Sequence, residues 1–143
     1  MLKLSTKARY ALRAMVELAR HEGEGATQLR AIAKAQHLST KYLEQLTIGL
    51  RHGGLIHSER GPRGGYWLAN PACQITALDV VRAVEGTMTL LDCVSDSDVC
   101  KRSAGCAARS LWSKLSAAIN ATLGEVTLAD LRQKEMEASS SQG

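Results

Sequence analysis

At 143 residues and 45% hydrophobic, with no Phe, three Tyr and two Trp, the chain is long enough for one domain, or one small domain with an appended helix, around an aliphatic core. No apolar run approaches the roughly 18 residues of a membrane span, and Arg9 and Arg13 break the N-terminal apolar stretch, which argues against a secretory leader and makes a cytoplasmic protein the expectation. The net charge of +4 is uneven, with eleven Lys and Arg against five Asp and Glu in residues 1–70 and seven against nine in residues 71–143, so the N-terminal half favours an anionic partner, nucleic acid foremost.

Ser5 or Thr6 caps a first helix running to about His21, with Ala8, Ala11, Leu12, Met15, Leu18 and Ala19 on one face. The Gly-Glu-Gly at 23–25 ends it, and Thr27 is expected to cap a short second helix carrying Leu29, Ile32 and Ala33. A tight turn around Gln36, His37 and Leu38 leads to Ser39, which caps a third helix with Leu43, Leu46, Thr47 and Leu50 at helical spacing and a stop at Gly53 and Gly54. Two short helices about four residues apart, the second opened by Ser/Thr, form the helix-turn-helix pattern. Leu55–Ser58 then reads as a strand, Arg60–Gly65 as a tight loop and Tyr66–Leu68 as the returning strand. The expected fold is therefore mainly α with a small β-hairpin wing, a winged helix-turn-helix over residues 1–70.

Residues 71–92 are expected to form a connector, in which Thr76 caps a helix with Ala77, Val80, Val81 and Val84 that Gly86 ends. Residues 93–106 read as a cysteine-bearing loop. Residues 107–137 hold a long helix to about Leu123, striped with Ala108, Leu111, Leu115, Ala118 and Thr122, and a final short helix capped by Thr127. Residues 138–143 read as a disordered tail. Little chain remains to cover the long helix's stripe, which makes a homodimer the natural cover.

In a helix-turn-helix the second helix enters the major groove and its N-terminal residues reach base edges. Here these are Ser39, Thr40, Lys41 and Tyr42, then Glu44 and Gln45. Hydroxyls suit phosphates or bases, Lys41 a phosphate or guanine, and Gln45 an adenine. Glu44 either accepts from a cytosine amino group or pairs with Lys41 or Arg51. In the wing, Arg60 and Arg63 flank Gly61, Pro62 and Gly64, an arrangement suited to Arg insertion in a narrow minor groove. Lys7 and Arg9, early in the first helix, are candidate phosphate contacts.

Of the four cysteines, Cys93, Cys100 and Cys106 cluster with spacing C-x6-C-x5-C while Cys73 stands apart. Three thiolates within fourteen residues suit a soft metal, and the spacing is wider than the knuckles of structural zinc. An iron–sulfur cluster accepts such loops but normally takes four ligands. A fourth donor from Asp92, Asp96, Asp98, Cys73, a His or a partner subunit stays open, as do zinc, a thiol switch and unreactive cysteines.

KLSTKARYALRAM, LSTKYLEQL, RGPRGGYWL and, after the cysteines, LWSKLSAAINATLGEVTLADL resemble the IscR-type (Rrf family) winged-helix regulators over nearly the whole chain. The resemblance implies a homodimer joined by the long helix, a palindromic double-stranded operator, and iron–sulfur sensing of redox state, cluster status or nitric oxide. It maps Cys93, Cys100 and Cys106 onto cluster ligands, Tyr42, Glu44 and Gln45 onto the recognition helix, and Arg60, Gly61, Pro62 and Gly64 onto the wing. It favours a 2Fe–2S cluster, with 4Fe–4S as the alternative, and leaves room for a contact with RNA polymerase. There are three departures. Arg109 stands where such regulators carry a His three residues past the last Cys. Arg9 or a neighbour stands where a nitric-oxide-sensing branch carries a carboxylate, and the first cysteine gap is one residue longer. The runner-up is a cysteine- or sulfur-metabolism repressor of the same fold, switched by thiol chemistry, a metabolite or a protein partner without a cluster. An enzyme is not expected, because no C-x-x-C beside a βαβ pattern, P-loop, GxGxxG or HExxH occurs.

Overall fold

Helix α1, Thr6–Arg20, begins where the Ser5 hydroxyl accepts the Ala8 N–H at 3.1 Å, the N-cap arrangement that satisfies an otherwise orphaned amide. The structure is a computed structural model in which residues 5–86 and 107–141 are described. Cysteine segment 93–106 lies outside the described residues, so the ligand positions Cys93, Cys100 and Cys106 do too.

α1 is buried well beyond one stripe: Ala8, Ala11, Ala14, Met15, Val16, Glu17, Leu18 and Ala19 are all enclosed. Its alanines let other helices approach closely, and α2 (Leu29–Gln36), α3 (Thr40–His52), α4 (Ala77–Glu85) and the last helix, α6 (Leu128–Ser141), all pack against it. Thr27 does not cap α2. The N-cap is Gln28, without a side-chain cap bond, because Thr27 is extended and exchanges two 2.8 Å backbone hydrogen bonds with Tyr66. The turn from α2 to α3 passes through His37 at φ 54°, and Ser39 caps α3 by accepting the Tyr42 N–H.

Strands β1 (Ile56–Glu59) and β2 (Gly65–Leu68) pair antiparallel, with Ile56 opposite Leu68 and Glu59 opposite Gly65. With the Thr27 bridge at their edge, they complete a winged helix. Gly65 lies at φ +151°, and a Cβ there would stand 2.3 Å from the Thr27 carbonyl oxygen. Only glycine lets β2 approach the strand-like Thr27 so closely.

After a short 3-10 turn, Ala72–Gln74, a reciprocal capping box between Thr76 and Asp79 opens α4. The long helix is α5, Ala107–Glu125, which packs on α4. Its Leu111 is 57% exposed, so the described residues cover the apolar stripe only in part. A second capping box, Thr127 with Asp130, opens α6. That helix reaches Ser141, so residues 138–141 are helical rather than part of a disordered tail.

The final helix also belongs to the N-terminal core. Leu128 is fully buried in the hydrophobic cluster that holds Met15, Leu18 and Ile75, and its N–H donates to the Ile75 carbonyl at 2.9 Å. Arg132 donates to the Ala19 carbonyl at 2.7 Å and pairs with Glu22 at 3.0 Å. Glu22 also accepts the Ala72 N–H at 2.7 Å. That backbone bond, then Arg132, holds the Glu22 carboxyl below the usual glutamate range.

Candidate nucleic-acid interface

α3 presents its polar face outward. Ser39, Thr40, Lys41, Glu44 and Gln45 are exposed, whereas Leu43, Leu46, Thr47 and Leu50 face the core. The Ser39 hydroxyl is already engaged as the cap. Tyr42 is half-buried and meets Tyr10 edge-on, with ring centroids 5.7 Å apart, while the Arg13 guanidinium lies 5.5 Å from the Tyr10 ring. Tyr42 therefore fixes α3 on α1 besides marking its outer edge. The Glu44 carboxylate pairs with neither Lys41 nor Arg51 among the described residues, which leaves it available as an acceptor.

The seat of α3 is set by two glycines. A Cβ on Gly49 would stand 2.9 Å from the Ala83 carbonyl oxygen, and one on Gly53 2.9 Å from the Ala83 Cβ. The recognition helix thus rests directly on the last turn of α4. Lys7, Tyr42, Gln45 and Ile48 line one crevice with Gly49, Ala83 and Val84, which joins Lys7 to the α3 face. Arg9 is placed differently. It donates to Thr6 Oγ1 and lines a groove between α1 and α6 with Leu12, Arg13, Leu131 and Lys134.

The wing tip is a tight turn in which the Gly64 N–H donates to the Gly61 carbonyl at 3.0 Å. Gly61 adopts φ +108°, and a Cβ on Gly64 would stand 2.2 Å from the Glu59 carbonyl oxygen. These glycines fold the tip back so that Arg60, Gly61, Pro62 and Arg63 are exposed. Neither Arg60 nor Arg63 has a partner among the described residues. Two unpaired guanidinium groups on a narrow protrusion can track a phosphate backbone or enter a groove.

Sequence reasoning missed Ile48 and the pair Gln28 and Arg30. Ile48 is 55% exposed and follows Lys41, Glu44 and Gln45 at helical spacing, an apolar residue on a polar face that suits a thymine methyl. Gln28 and Arg30 carried no motif signal. Among the described residues no group of three or more His, Cys, Asp or Glu is arranged to hold a metal, Cys73 is exposed with a free thiol, and no helix is long and apolar enough to cross a membrane.

The family model for Rrf2, described as an iron-dependent transcriptional regulator, matches residues 4–134. The chain is 42% identical over 130 residues to the HTH-type transcriptional regulator CymR of Bacillus subtilis, covering 91% of this chain and 89% of that protein. The solved structure of CymR, described as the global cysteine regulator of B. subtilis, superposes with a TM-score of 0.78 over 94% of this chain and 98% of that one. IscR of T. potens superposes equally well, with a TM-score of 0.78 at 39% identity over 96% and 90% of the two chains.

Proposed function

The chain belongs to the Rrf2 family of DNA-binding transcription regulators, and from that premise we propose that it acts as a homodimer on palindromic operators. It is a regulator and not an enzyme. The observation that carries the reading is the shared exposure of the α3 face and the unpaired Arg60 and Arg63 of the wing. Those surfaces match the two contacts a winged helix makes, one with base edges and one with backbone or minor groove. The exposed Leu111 on α5 supports the dimer, since a second α5 buries what this chain leaves open.

For the signal, the first reading is a regulator of cysteine or sulfur metabolism that needs no cluster. The 42% identity and the 0.78 TM-score with CymR support it. The second reading is an iron–sulfur sensor, favoured by the spacing of Cys93, Cys100 and Cys106 and by the likeness to IscR. The donor set fits: three thiolates are the ligands such clusters take. Bound there, the cluster supplies a redox- and ligand-sensitive centre, and Arg109 offers it no lone pair, so a fourth donor lies elsewhere.

Anaerobic purification followed by visible absorption and quantification of iron, sulfide and zinc separates the two readings. Colourless protein that binds DNA identically with Cys100→Ala supports the first. A visible band with matched iron and sulfide, lost in Cys100→Ala while the dimer persists, supports the second. Selection of bound sequences from a random duplex pool tests the DNA-binding reading itself, and a protein that enriches none refutes it.

A further inference from the structure

The first helix of a helix-turn-helix crosses the DNA backbone while the second reads the groove. In this chain α2 opens with Gln28, whose backbone carbonyl accepts the Ala31 N–H at 3.0 Å. Its side chain caps nothing and instead reaches across to the wing. Gln28 Nε2 donates to the Pro62 carbonyl at 3.1 Å. Gln28 Oε1 in turn accepts from Arg30 Nε at 2.9 Å. One glutamine amide therefore uses both ends, one on the wing tip and the other on an arginine in the first turn of α2. Arg30 is exposed, and its terminal nitrogens have no partner among the described residues.

A flexible arginine on a helix surface loses side-chain entropy on binding, of order 2 kcal/mol at most. Fixing Nε against Gln28 orders part of that side chain beforehand and leaves the forked end of the guanidinium free, which is the end that pairs with phosphate oxygens. The site is electrostatically favourable, because the positive end of the α2 dipole is one turn or less away. The same bond to Pro62 stands one residue from Arg63, so wing and α2 meet the backbone as one unit.

We propose that Arg30, positioned by Gln28 against the wing tip, is a DNA-phosphate ligand at the junction of α2 and the wing. The proposal rests on the DNA-binding reading above and adds to it a contact outside the recognition helix and the wing. Arg30 touches the DNA. Gln28 acts through Arg30 and Pro62.

The test uses anaerobically purified full-length protein and a labelled duplex enriched by the wild type from a random pool, with affinity measured across a salt series. Each phosphate contact contributes about 0.9 to the salt slope, so a dimer on two half-sites loses about 1.8 in Arg30→Ala and binds about thirty-fold more weakly at physiological salt. Arg30→Lys keeps the slope, because the charge remains. Gln28→Ala leaves the charge and hence the slope in place, yet it lowers affinity, and that loss shrinks in the Arg30→Ala background. An unchanged slope in Arg30→Ala, with the wild type binding normally, overturns the contact alone. An affinity loss from Gln28→Ala that is absent, or equal in both backgrounds, overturns the positioning role. A wild type that enriches no sequence removes the DNA-binding reading, and this contact with it.

Discussion

Gly53→Ala probes the seat of the recognition helix. Gly53 lies at φ −76° and ψ −2°, a right-handed conformation that alanine adopts without strain, so the backbone contributes no penalty. The new Cβ would stand 2.9 Å from the Ala83 Cβ, against roughly 3.5–4.0 Å for unstrained carbon contact. The end of α3 must therefore rise by the better part of an ångström, or α4 must give way. Overpacking of this kind costs about 1–3 kcal/mol. Gly53 sits at the exposed end of α3, where relaxation is easy, so the lower part of that range applies. Replacing glycine with alanine returns up to ~1 kcal/mol through the unfolded state. The expected net loss is about 1 kcal/mol or less, too small to interpret by itself. Its cause is isolated by Ala83→Gly, which removes the opposing Cβ and alone costs ~1 kcal/mol of helix propensity. On that background Gly53→Ala becomes stabilising. The four proteins are compared by urea denaturation at one fixed protein concentration, since a dimer's stability depends on it. A coupling of about 1 kcal/mol or more is expected, and DNA affinity lost in Gly53→Ala returns in the double variant. Additivity within about 0.5 kcal/mol would show that the Cβ clash does not govern how α3 rests on α4.

Arg60→Ala and Arg63→Ala each lower operator affinity and flatten its salt dependence by about 0.9 per contacted phosphate, read from binding isotherms across a salt series. An unchanged slope removes the wing from the contact set. Leu128→Ala empties a fully buried site and lowers stability by about 2–5 kcal/mol in denaturant unfolding, and a loss under 1 kcal/mol would mean that α6 is not part of the core. Glu22 has a lowered folded pKa, so its contribution is present above the ordinary glutamate range and disappears as pH falls through the folded value. The stability gap between wild type and Glu22→Gln should be open near neutral pH and close in acid. Because Glu22 is about a third exposed, that gap is small, and a gap that widens in acid contradicts the assigned cause.

The winged helix was legible because its boundaries are written locally. Ser5, Ser39, Thr76 and Thr127 cap the helices expected of them, and Gly53 and Gly86 end theirs. The wing loop follows from glycines whose positions admit no side chain. Thr27 misled because its capping chemistry lost to a pairing with Tyr66, a partner thirty-nine positions away that local pattern does not announce. The docking of α6 was hidden for the same reason. Its sequence is mostly polar, and Leu128 with Ala129 and Leu131, Arg132 and a backbone bond to Ile75 attach it to α1 and the 3-10 turn. Among the candidate DNA contacts, helical spacing placed Lys41, Glu44 and Gln45 on one exposed face. Charge alone could not separate Lys7, which joins that face, from Arg9, which turns to the α6 groove. Gln28 and Arg30 were invisible because their role depends on a bond to the wing.

The last turn of α4 touches both the recognition helix and the start of α1. Ala83 supports α3 beneath Gly49 and Gly53, and Val84 lines the crevice shared by Lys7, Tyr42 and Gln45. Glu85 accepts a hydrogen bond from Ser5, the residue that caps α1. Gly86 ends the helix, and Cys93 follows seven residues later. Protein interiors are packed without slack, and at Gly49 and Gly53 an added Cβ would stand only 2.9 Å from an Ala83 atom. Three consecutive residues, Ala83, Val84 and Glu85, therefore tie the seat of the recognition helix and the cap of α1 to the end of α4.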